Sequence, residues 1–91
     1  MLNLNHKNLD VWQLAIKLVS TIYQITSKYP KEEVFGLTSQ TRRAVVSISA
    51  NLAEGSSRKS LAERKRFYEI SRSSLVEVDN HIEVAKELGY L

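Results

Sequence analysis

Residues Gly36 to Gly55 read GLTSQTRRAVVSISANLAEG, and their spacing decides the fold class. Residues three and four apart share one face of an α-helix. Leu37, Thr41, Ala44, Val45, Ile48 and Leu52 therefore form one mostly apolar stripe that requires burial. Gln40, Arg43, Ser47, Asn51 and Glu54 form a second stripe at the same spacing, made only of hydrogen-bonding side chains. Two readings of this polar stripe stand side by side. It is a structural seam between helices or subunits, in which Arg43 meets a carboxylate and Asn51 caps backbone groups, or it is a ligand or phosphate surface led by Arg42 and Arg43.

The rest of the chain reads as helices that pack on this one. Before it, Trp12, Ala15, Ile16, Val19, Ile22, Tyr23 and Thr26 recur at helical spacing. Beside them Val11, Leu14, Leu18 and Ile25 widen the apolar arc enough for more than one neighbour. This first helix is predicted over about 8–29, roughly 33 Å long at 1.5 Å per residue. Lys28 then falls in its last turn, and Pro30 stops it. In the connection PKEEVFG, Val34 and Phe35 are expected to fold back onto the end of the bundle.

The central helix is predicted over 37–55, with Gly55 as a left-handed C-terminal cap. Ser60 and Glu63 have the S-x-x-E spacing of a capping box, so a third helix follows over 60–88. In it Leu61, Tyr68, Leu75 and Ile82 repeat every seven residues, and Ser71, Val78 and Ala85 follow the last three by three. Such a repeat suits an antiparallel bundle. Glu77 continues a side face with Ser74 and His81, where it is placed to answer Arg43 or Asn51. No segment alternates like a strand. The 91 residues form a single domain, 1–91, of the all-α class: an antiparallel up-and-down helical bundle.

Composition narrows the function. There are no cysteines, the N-terminus has no signal-like run, and no apolar stretch approaches the length of a membrane span. A cytoplasmic protein without a membrane association is expected. Charge is uneven along the third helix. From Arg58 to Arg72, six basic residues (Arg58, Lys59, Arg64, Lys65, Arg66, Arg72) face only Glu63 and Glu69, for a net of +4. From Ser73 onward, Glu77, Asp79, Glu83 and Glu87 face only Lys86, for a net of −3. Both halves oppose the helix dipole. A basic helix start with free N–H groups favours anions, and phosphodiester backbones are the commonest large polyanion such a surface meets in a cytoplasm. RNA or DNA binding through Arg58, Lys59, Arg64, Lys65, Arg66, Arg42 and Arg72 is the leading expectation. The rival is a protein-interaction scaffold whose charged helix ends pair between subunits or with a protein partner. No base-reading module is recognisable, and aromatic residues do not interleave the basic cluster.

Catalysis is not expected. His6 and His81 are far apart, Glu54 and Glu77 alone specify no reaction, GSSRKS lacks the second glycine of a phosphate loop, and no E-x-x-H occurs. No metal or other cofactor is expected.

Several blocks carry a resemblance: Asp10-Val11-Trp12, Leu37-Thr38-Ser39-Gln40, Arg42-Arg43-Ala44, Ser47-Ile48, Asn51-Leu52-Ala53-Glu54-Gly55, Arg58, Phe67-Tyr68-Glu69 and Glu77. Together they resemble the four-helix-bundle family encoded in bacterial 23S ribosomal RNA intervening sequences. The resemblance implies a bundle of the four-helix type that assembles into a ring, by expectation a pentamer. It also implies similarity to the accessory protein of diversity-generating retroelements, a basic pentameric barrel that binds nucleic acid and a reverse transcriptase. Ser49 and Thr41 stand where relatives often carry proline and a larger aliphatic residue. Only three helices are expected in these 91 residues, the family's fourth being absent, and a homo-oligomer is expected to cover the open apolar face.

Overall fold

The computed structural model describes residues 4–91. Its order is a 3-10 turn (Asn5–Asn8), α1 (Asp10–Thr26), a second 3-10 turn (Lys31–Glu33), α2 (Leu37–Ser57) and α3 (Leu61–Glu87). There is no strand among the described residues, and the all-α expectation holds.

α2 is the central element. α1 and α3 both pack on it, yet no Cα of α1 comes within 8 Å of one in α3. The two outer helices thus sit at diagonal corners, with α2 at the corner between them. Val45 and Thr41 are fully buried; Ala44, Ile48 and Leu52 complete the central stripe, against Ala15 and Ile22 of α1 and Val78 of α3. A Val-sized side chain taken wholly from water contributes about 1.5–3 kcal/mol.

The diagonal arrangement corrects the expected core of α3. Ser71, Ser74, Val78, His81 and Ala85 are buried, whereas Leu61, Tyr68 and Leu75 of the seven-residue stripe are exposed. At 100° per residue, that stripe lies to one side of the Ser71–Val78–Ala85 line. Only Ile82 of the stripe packs against the core. On α1, Val11 and Leu14 are exposed for the same reason: they sit off the line that faces α2.

Three local expectations also change. α1 ends at Thr26 and not near Tyr29, because the chain tightens into three-residue turns: Lys28 N–H donates to the Ile25 carbonyl (3.2 Å) and Tyr29 N–H to that of Thr26 (3.1 Å). Lys28 therefore lies beyond the last helical turn, and Tyr29 turns inward and is buried. Val34 and Phe35 do not fold back; Phe35 is 97% exposed. Glu33 is the inward anchor instead, its carboxylate accepting from the Leu37 N–H (3.1 Å) and the Tyr90 hydroxyl (2.8 Å).

Finally, Gly55 is a buried residue inside α2, which continues to Ser57. Positive φ among the described residues occurs only at Gly89. The last turn of α2 is held by Ser56 and Ser57, whose hydroxyls donate to the carbonyls of Ala53 (2.9 Å) and Glu54 (2.7 Å). At the start of α3, Ser60 Oγ accepts from the Glu63 N–H (3.1 Å). The Glu63 carboxylate faces Arg58 (3.6 Å), so one half of the capping box forms and the other becomes an ion pair.

Candidate functional site

The α2–α3 turn gathers the basic residues because the helices reverse there after only three residues. Arg58 organises the turn. Its Nη2 donates to Glu54 Oε2 at 3.1 Å, its Nε lies 3.6 Å from Glu63 Oε2, and its guanidinium sits 4.8 Å from the Phe67 ring centroid. Its carbonyl accepts from Arg64 Nε at 2.6 Å. Two carboxylates thus neutralise Arg58, leaving it a clamp and not a free cation.

The remaining cations surround that clamp. Lys59, Arg64, Lys65, Arg66 and Arg72 are exposed, and among the described residues none has a carboxylate partner. Lys59 to Arg72 spans roughly 20 Å of chain axis. The cations fan around the first turns of α3, since 100° per residue separates Arg64, Lys65 and Arg66. Two guanidiniums sit over the Phe67 ring, Arg58 at 4.8 Å and Arg66 at 5.5 Å from its centroid. An aromatic ring therefore does interleave the cluster, contrary to the expectation from sequence. Arg58 reaches it by crossing the turn, a contact that linear spacing does not reveal.

Arg42 is not part of this cluster. It is 16 residues before Arg58, toward the opposite end of α2 and roughly 24 Å away. There its Nε donates to Thr26 Oγ1 (2.8 Å), its Nη2 to the Tyr23 carbonyl (3.3 Å), and its guanidinium stacks 4.4 Å from the Tyr23 ring centroid. These bonds tie the end of α1 to α2.

The polar stripe divides into three parts. Ser47 hydrogen-bonds Ser74 (2.9 Å), and Asn51 Nδ2 donates to the Ser47 carbonyl (2.8 Å) and hydroxyl (3.0 Å), joining α2 to α3. Gln40 and Arg43 line a polar pocket of about 330 Å³ with Glu77. Glu77 makes no bond with Arg43 or Asn51; it lies 3.7 Å from His81 Nε2. Glu54 is at the far end with Arg58. Sequence reasoning missed the buried bond from Ser71 Oγ to the Ile48 carbonyl (2.8 Å), although its signal was present in the small residues of α3. Small hydroxyls let two helices approach closely while satisfying their own polar groups.

At the other end, Glu33 is held below the ordinary carboxylate range by the Leu37 N–H and then by the Tyr90 hydroxyl, against a smaller opposing effect of burial. Tyr90 is raised, first by its bond to Glu33. Burial raises Tyr29. Among the described residues, no group of three or more His, Cys, Asp or Glu side chains could hold a metal ion, and no helix is long and apolar enough to cross a membrane.

Two long helices, α1 and α3, packed on α2, with a basic turn at one end, define an all-α helical-bundle protein. Residues 7–91 match the family described as 23S rRNA-intervening sequence protein, and the chain belongs to that family. A search of curated proteins returned no match.

Proposed function

We propose that this chain is a non-enzymatic, cytoplasmic, homo-oligomeric protein that binds RNA or DNA by phosphate contacts at the α2–α3 turn. The observation that carries this reading is the fan of Lys59, Arg64, Lys65 and Arg66 with no carboxylate partners, on a scaffold stiffened by Arg58. Charged groups already paired within a fold have little to offer a phosphate; unpaired ones release counterions when they meet it. The family's description, which names an rRNA intervening sequence, is compatible with such a partner. Backbone contacts position a nucleic acid without reading its bases, so weak sequence preference is expected.

The test is fluorescence anisotropy with labelled structured RNA and duplex DNA over a salt series, with molar mass followed by light scattering. Four phosphate contacts give a log–log salt slope of about −3.6 on duplex DNA. The variant Arg64→Gln/Lys65→Gln/Arg66→Gln should lose about three-quarters of that slope at unchanged mass. Binding that is absent at low salt, or identical in the variant, rejects the reading.

A second reading has its own observation. Val11 and Leu14 on α1 and Leu61 and Leu75 on α3 are exposed, so each outer helix carries uncovered apolar surface. It favours a scaffold that assembles with itself, as a pentamer by family resemblance, or with a protein partner. Assembly through such a surface tolerates salt, which phosphate binding does not.

A further inference from the structure

A groove of about 850 Å³ runs between the C-terminal end of α1 and the outer side of α2, well away from the basic turn. Lys31, Arg42 and Arg43 line it, and no carboxylate does. That asymmetry is unusual here, because Glu32 and Glu33 adjoin Lys31 in the chain. Glu33 is committed elsewhere, to the Leu37 N–H and Tyr90.

We propose that this groove is a binding site for a small phosphate monoester carrying an apolar body. Arg42 is already oriented: Thr26 Oγ1, the Tyr23 carbonyl and the Tyr23 ring fix its plane, and three of its five N–H donors remain uncommitted. A guanidinium held in place loses less freedom on meeting an anion than a mobile one. The side chains of Arg43 and Lys31 make no hydrogen bond or ion pair among the described residues, so both are available.

Hydroxyl donors supplement the cations. Thr38 and Ser39 line the groove in the first turn of α2 and offer hydroxyl donors there. Tyr29 adds to the wall and has a phenolic O–H without a hydrogen-bond partner. A dianion with three terminal oxygens matches this donor-rich, triply cationic site better than a monoanionic carboxylate. Val46 and Ala50 supply an apolar floor for the rest of the ligand.

The site is separate from the surface proposed for nucleic acid, and the test separates them. Phenyl phosphate, inorganic phosphate and phenol are titrated into the full chain while backbone amide shifts are followed by NMR. Phenyl phosphate should bind most tightly of the three, moving Thr38, Ser39 and Ala50. Lys31→Gln/Arg43→Gln removes two cations whose side chains make no hydrogen bond or ion pair in the fold, and should weaken it by about tenfold or more. Arg64→Gln/Lys65→Gln/Arg66→Gln should leave it unchanged. A 5′-phosphorylated trinucleotide, compared with its 5′-hydroxyl form in that last variant, tells a strand end from a free metabolite as the source of the phosphate. The proposal is overturned if no groove amide moves saturably at millimolar phenyl phosphate, if phenol binds equally well, or if both variants weaken binding alike.

Discussion

Gly55 of α2 faces the ring of Tyr68 of α3 so closely that a Cβ at position 55 would lie 2.6 Å from Tyr68 Cε1 and 3.3 Å from Phe67 Cβ. The glycine is there for proximity and not for a turn. In a helix interior, glycine is about 1 kcal/mol less favourable than alanine, and close packing at the start of α3 offsets that cost. The close approach also brings Phe67, which Arg58 and Arg66 both contact, up against the end of α2 beside the basic turn.

Gly55→Ala should therefore destabilise the fold by about 1 kcal/mol, the overpacking penalty exceeding the gain in helix propensity. Adding Tyr68→Ala should recover part of the loss, because the two sites share the clash. Urea unfolding of the two single variants and the double variant measures this coupling. An alanine variant more stable than the parent would show that the ring swings away freely.

Arg42 links two helices through a hydroxyl, a carbonyl and a ring. Arg42→Ala should cost about 1–2 kcal/mol. Arg42→Lys should rescue little, since an ammonium lacks the planar fork that reaches Thr26 and Tyr23 together. Thermal unfolding of both variants decides the point; equal stability of lysine and arginine at this position would contradict it.

Glu33 has its folded carboxyl pKa below the ordinary value of 4.5, and the Leu37 N–H and Tyr90 hydroxyl are the causes. A depressed carboxyl pKa means that the unfolded chain takes up the proton first as pH falls. The contribution of Glu33 is therefore fully present above pH 4.5 and lost as pH falls through its folded value. An NMR titration of the Glu33 carboxyl should show this low value, and Tyr90→Phe should raise it toward the ordinary range. A Glu33 titration unaffected by Tyr90→Phe would break the link.

Phe35 projects almost entirely into solvent. Phe35→Ser should change the stability of the subunit by no more than about 0.5 kcal/mol. If Phe35 contributes to self-association, the same variant should lower the molar mass seen by light scattering. A large loss of stability with mass unchanged would mean that the ring is packed in solution.

The helices were legible from the chain itself. A 3.6-residue period is a local property, Pro30 removes a donor locally, and the Ser60 hydroxyl reaches the Glu63 N–H within one turn. The clustering of Lys59, Arg64, Lys65 and Arg66 was legible for the same reason: neighbours in sequence at a helix start are neighbours in space. Arg42 was misplaced because charge counting has no sense of distance along a helix.

Sequence alone therefore determined three amphipathic helices, their short connections and the polarity of charge along α3. Tertiary structure decided which stripe of α3 faces α2, that Gly55 serves a close approach, that Phe35 stays outside, and that Arg42 and Arg58 are both tied within the fold. Each of these depends on where one helix stands relative to another. That position is set by small residues such as Gly55, Ser71 and Ser74 meeting across an interface, and no periodicity within a single helix encodes it.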